Sequence, residues 1–196
     1  MLVTLHGSSR DGSSLIDPWK KLATDAGIVL AGPDALNSQT WTTPADGPVF
    51  LRDVVESVKA RLTIDSKRVY LFGHLGGGGF AIMNALFEPN FFAAVAVHAG
   101  ALPVPQQFTP FRPATRRVPI AIWVGDRDPF FPMSAVKPTV DFLQTNGFPG
   151  QFSVLLNHDH NYYGLADKVN KEAWLFLESK ALENDPKWDD ITFTER

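Results

Sequence analysis

Short apolar runs alternate along the chain with stretches in which apolar residues recur every three or four positions. The runs of strand length are Leu2 to Leu5, Ile28 to Leu30, Val69 to Phe72, Ala93 to Val97, Ile120 to Val124 and Phe152 to Leu156. Most are apolar throughout, the pattern of strands covered on both faces, and a parallel sheet is therefore predicted. Asp17 followed by Pro18 has the form of an N-cap and a first helical residue, opening a helix to about Ala26. Phe50, Leu51, Val54, Val55, Val58 and Leu62 make an amphipathic stripe, as do Leu165, Val169, Ala173, Phe176 and Leu177. Strands alternating with helices predict a three-layer α/β/α sandwich around a mostly parallel sheet of about six strands. The proline-rich stretch from Leu102 to Pro119 reads as an excursion between two strands, and such excursions beyond strand C-termini build ligand sites. Residues 1–184 read as one domain and residues 185–196 as a polar, loosely held tail.

Composition narrows the function more than the fold. A chain of 196 residues with 44% hydrophobic and 20% charged residues buries a full core and is neither disordered nor fibrous. The net charge is −3, and Lys and Arg are scattered, leaving no electrostatic footprint for a nucleic acid or an anionic membrane. The absence of cysteine removes disulfides, thiolate metal sites and a cysteine nucleophile together. No apolar run reaches the roughly 18 residues of a membrane span, and no basic-then-apolar leader is visible, so a cytoplasmic protein is expected.

The chemistry of such a sheet is found where strands end. Val69 to Phe72 runs into Gly73-His74-Leu75-Gly76-Gly77-Gly78-Gly79, which has the glycines of G-x-S-x-G at Gly73 and Gly77 but leucine at the centre. Three more pieces follow in order: His6-Gly7-Ser8 after the first strand, Gly125-Asp126-Arg127-Asp128-Pro129 after the fifth, and Asn157-His158-Asp159-His160-Asn161-Tyr162-Tyr163 after the last. Together with the segment from Asp46 to Gly73, they resemble polyhydroxyalkanoate depolymerase-like, feruloyl esterase-like and esterase D-like serine hydrolases of the α/β-hydrolase superfamily. The likeness extends from Val3 to Leu177. It implies a minimal α/β-hydrolase fold that starts at the family's third strand and lacks the usual N-terminal strands. It also implies a nucleophile position at Leu75, an acid at Asp128 with Asp126 as alternate, and a histidine at His160 with His158 as alternate. Main-chain donors near Ser8 and at Gly76 would form the oxyanion hole. No cofactor or metal is implied; the ligand would be a small acyl or ester-like molecule, with a homo-oligomer left open.

Leu75 has neither a proton to lose nor a lone pair to attack with, so the serine mechanism cannot run through it. Gly76, where the family often has alanine, is a second change in the same turn. Two classes of function follow: a carboxylic-ester-hydrolase-like protein that is inactive or weakly active, or a non-catalytic module binding a small ligand or a protein partner. Each residue also has a plainer reading. Asp128 could cap a helix; His6 and His74 could bond to the main chain or pack; His158, Asp159 and His160 could hold a metal. Gly76 to Gly79 could be a dinucleotide loop, although no acidic residue follows about 20 positions later.

Overall fold

Successive side chains of a strand point to opposite faces, so a strand that is apolar throughout must be covered on both. In the computed structural model, which describes residues 1–103 and 116–189, four strands are buried along their whole length: β1 (Leu2–Leu5), β3 (Tyr70–His74), β4 (Ala94–His98) and β5 (Ile120–Gly125). The edge strands β2 (Leu30–Ala31) and β6 (Gly150–Leu155) are partly exposed. All neighbours pair in parallel, in the order β2-β1-β3-β4-β5-β6. Helices α2 (Pro48–Lys59), α3 (Gly76–Phe87) and α4 (Met133–Thr145) cover one face, packing on Val3, Leu5, Leu71, Val95, Val97 and Ile122. Helices α1 (Ser13–Ala26) and α5 (Ala166–Glu178) cover the other, on Leu2, Tyr70, Phe72, Ala94, Ala96 and Trp123. The three layers and the six-stranded parallel sheet are those of an α/β-hydrolase fold.

The strand order fixes where a ligand can sit. The chain leaves β1 toward β2 and returns to the other side of β1 at β3. The loops after β1 and β3 thus diverge and open a crevice beyond the strand C-termini.

Local differences from the sequence reading have identifiable causes. Helix α1 begins a turn before Asp17, because Asp11 accepts the Ser14 N–H at 3.0 Å and the Ser13 hydroxyl at 2.7 Å, leaving Pro18 inside the helix. The run at Ile28 is mostly approach: only Leu30–Ala31 pairs with β1. Helix α4 carries Pro132 at its cap and Pro138 within it, which hides its period. The run from Phe152 lies on a sheet edge rather than in its middle, and Leu156 just beyond is 78% exposed.

Residues 185–189 are not loosely held. Trp188 stacks on Phe91 with ring centroids 3.5 Å apart, Lys187 N–H donates to Asn90 O, and Asp189 N–H donates to Glu88 Oε2 at 2.8 Å. An apolar ring in a polar stretch was enough to dock it. Most of the excursion after Leu102 lies outside the described residues; Leu102 itself is buried and its N–H donates to Thr139 Oγ1 at 3.0 Å.

Candidate active site

Helix α3 descends directly onto the ends of β1 and β3. A Cβ at Gly73 would stand 2.3 Å from Gly77 O, and one at Gly77 would stand 2.0 Å from Leu5 O, so neither position admits a side chain. Leu75 caps the helix at φ 57, ψ −125, as an elbow apex would require, and its N–H donates to His98 O at 3.2 Å. Holding a branched side chain there costs about 1–3 kcal/mol, offset by the packing of the strand–helix junction. Gly76 opens the helix with an N–H that has no intrahelical partner. A Cβ on Gly76 would meet only Ser8 Oγ, at 3.6 Å, and one on Gly7 would stand 3.0 Å from Leu75 Cβ and Cδ2. The loop of His6, Gly7 and Ser8 therefore lies across from the turn, and neither Ser8 nor Gly76 N–H has a partner among the described residues.

The loops after β5 and β6 bring a carboxylate and an imidazole together. His160 Nδ1 is 2.8 Å from Asp128 Oδ2, while Asp128 Oδ1 accepts the N–H groups of Phe130 and Phe131 at 2.9 and 2.8 Å. One Asp128 oxygen thus faces the imidazole and the other closes the turn that precedes α4; the cap reading does not hold, because α4 starts only at Met133, behind Pro132, with no side-chain cap. Its side chain is fully buried. The carboxylate orients the ring with Nδ1–H toward itself. Nε2 of His160 is left buried and, among the described residues, without a partner.

The alternates face elsewhere. Asp126 is exposed and accepts the His158 N–H at 3.2 Å. His158 turns its Nε2 to His98 Nε2 at 3.1 Å. Among the described residues, no group of three or more His, Cys, Asp or Glu is arranged to hold a metal ion. Gly77 faces the backbone of β1, not open space where a pyrophosphate could lie.

A row of buried imidazoles runs under the site. His74 Nδ1 lies 3.2 Å from both His98 O and His98 Nδ1, and His98 continues the row to His158. Burial, with His160 nearby, pushes His74 down to about 4; burial, with His74 and His158 on either side, pushes His98 down to about 2. Both are neutral at pH 7. His98 was not singled out from the sequence, where its only signal is a polar residue closing an apolar strand.

Two cavities meet at the turn. One, of about 400 Å³, is lined by Ser8, Arg10, His74, His160, Asn161 and Tyr163, and the other, of about 710 Å³, by Trp41, Phe80, Met83, Leu102, Phe131 and Pro138. Leu75 and Phe130 line both.

The parallel sheet and the turn at Leu75 are those of an esterase-like α/β-hydrolase. More narrowly, the chain belongs to the dienelactone hydrolase family, whose model matches residues 33–176. It is 36% identical over 88 residues, 45% of its length, to NocK of Nocardia uniformis subsp. tsuyamanensis, an esterase by name. The chain spans only about a quarter of that protein, 25% of its length. In fold it is similar to an uncharacterized protein from Bacillus cereus ATCC 10987, at TM-score 0.75 and 19% identity over 90% of this chain and 59% of that one. It is likewise similar to SOBER1 of Arabidopsis thaliana, at TM-score 0.70 and 16% identity over 91% and 97% of the two chains.

Proposed function

We propose that this chain is a carboxylic-ester-hydrolase-like protein that binds a small acyl or ester-like molecule but has lost the covalent serine step at Leu75. The observation that carries this reading is the unpartnered Nε2 of His160, oriented through Nδ1 by Asp128. In a serine esterase, that nitrogen takes the hydroxyl proton as the oxygen attacks the carbonyl, and main-chain N–H groups hold the oxyanion. Here Ser8 and Gly76 are the donors, Asp128 orients the base, and Leu75 stands where the oxygen belongs. Residual turnover would have to use water in place of the side chain. Proteases stripped of triad members keep roughly 10³ to 10⁴ over the uncatalysed rate.

The second reading is a non-catalytic module for a small ligand or protein, favoured by the intact cavities on either side of Leu75. A cytoplasmic setting is part of the proposal; no helix among the described residues is long and apolar enough to cross a membrane.

The test is Leu75→Ser. The parent is expected to hydrolyse p-nitrophenyl butyrate barely above background. The variant is expected to turn over faster, show an acyl-enzyme burst and accept an organophosphonate label at residue 75. A folded variant with neither turnover nor label would put the binding reading first. A fast parent that keeps its activity without His160 would overturn the site.

A further inference from the structure

His6 lies just past β1, is 1% exposed, and has both ring nitrogens engaged with backbone groups that admit one sense only. Nδ1 is 2.9 Å from Gly7 O, which can only accept, and Nε2 is 3.1 Å from Ala35 N–H, which can only donate. The ring is therefore the neutral tautomer protonated at Nδ1. A trans peptide is planar, with its C=O and the following N–H pointing in opposite directions. Tying the Gly7 carbonyl to the ring thus turns the Ser8 N–H to the other side of the peptide. The flanking groups are secured as well: Trp41 Nε1 donates to His6 O at 2.8 Å, its ring lies 4.8 Å from the imidazole, and Ser9 N–H donates to Ser38 O at 2.8 Å. The Ser8 N–H between them has no partner among the described residues, on a loop that abuts Leu75 and Gly76.

We infer that His6 is a positioning residue: its Nδ1–H sets the Gly7–Ser8 peptide so that the Ser8 N–H, with that of Gly76, receives an oxygen anion, either a carboxylate or the developing oxyanion of an ester. This rests on the reading of Ser8 and Gly76 as paired donors. A histidine that merely braced two loops would be served by either of its bonds; a positioning residue is served only by the one to Gly7. Asn places an amide N–H near Nδ1 and keeps that bond, whereas Gln places its amide near Nε2 and keeps only the bond to Ala35.

The test compares His6→Asn and His6→Gln by 1H–15N spectroscopy in the otherwise unaltered chain, with sodium butyrate as the anion probe. The Ser8 and Gly76 amides are expected to shift together in the parent and in His6→Asn. In His6→Gln the Ser8 response is expected to disappear and butyrate to bind at least about 10-fold more weakly, as loss of one donor implies. A Ser8 amide silent in the parent, or a His6→Gln chain that responds like the parent, overturns the inference. In the Leu75→Ser background, His6→Gln is expected to lower kcat roughly 10²- to 10³-fold with KM within a few fold, and His6→Asn to retain most of kcat. If Leu75→Ser is inert while the Ser8 amide follows His6 as described, the hydrolase reading falls and the role of His6 stands. If Leu75→Ser turns over and His6→Gln leaves kcat intact, the role of His6 falls and the hydrolase reading stands.

Discussion

Mild acid should destabilise this fold through its buried imidazoles before its carboxylates titrate. Unfolded, His74 and His98 would each titrate near 6.5; folded, burial first and neighbouring histidines second hold them at about 4 and about 2. A lowered histidine pKa means that the folded chain excludes a proton the unfolded chain accepts. The associated stability is complete above 6.5 and is lost as pH falls from there toward the folded values. Each group contributes a slope of about 1.4 kcal/mol per pH unit in that window, hence about 2 kcal/mol at a pH near 5. The two together come to about 4 kcal/mol, a large share of the roughly 5–15 kcal/mol that stabilises a typical domain. Carboxylates with ordinary values near 4 contribute little at that pH. Urea unfolding followed through the five tryptophans, at several pH values between about 7.5 and 5, measures the loss. His98→Asn should be less stable at neutral pH but should have a slope shallower by about one proton. A change below about 1 kcal/mol over that range, or a His98→Asn slope equal to the parent's, would refute the reasoning.

Asp128→Asn in the Leu75→Ser background keeps an oxygen for the Phe130 and Phe131 N–H groups but turns an amide N–H toward His160, imposing the wrong tautomer. Its kcat is expected to fall roughly 10³- to 10⁴-fold with the thermal midpoint little changed; a loss below 10-fold would dismiss Asp128 as the orienting acid. Trp188→Ala removes the stack on Phe91 and is expected to cost about 2 kcal/mol in urea unfolding while leaving butyrate binding unaltered. An unmoved urea midpoint would mean that the docked tail adds no stability.

The buried strands were legible because a strand covered on both faces can hardly be built from anything but apolar residues, as Val69 to Phe72 and Ile120 to Val124 illustrate. The turn was legible because close contact between α3 and the sheet admits only glycine at two positions. Helix α4 was not, since its prolines mask the 3.6-residue period. Nor was the edge position of β6, because a short apolar run does not say whether a neighbouring strand lies on each side. Of the candidate site, the loops bearing Asp128 and His160 could be read from motif order. The choice between Asp128 and Asp126, or between His160 and His158, depends on which way each side chain turns at a strand end, and adjacent sequence does not encode that. The row through His98 escaped because its members are 24 and 60 residues apart along the chain.

The conformation at Leu75 has a consequence for how this chain can change. Its positive φ is imposed by the contacts of Gly73 and Gly77 and by the bond to His98 O, none of which involves the leucine side chain. The backbone therefore acts as a socket set by its surroundings, and on the proposed reading exchange at this position would bear on chemistry more than on folding. Two of the leucine codons differ from a serine codon by a single base. On the proposed reading, a lineage carrying this turn could lose or regain an attacking oxygen in one mutational step, for as long as His160 and Asp128 keep their places.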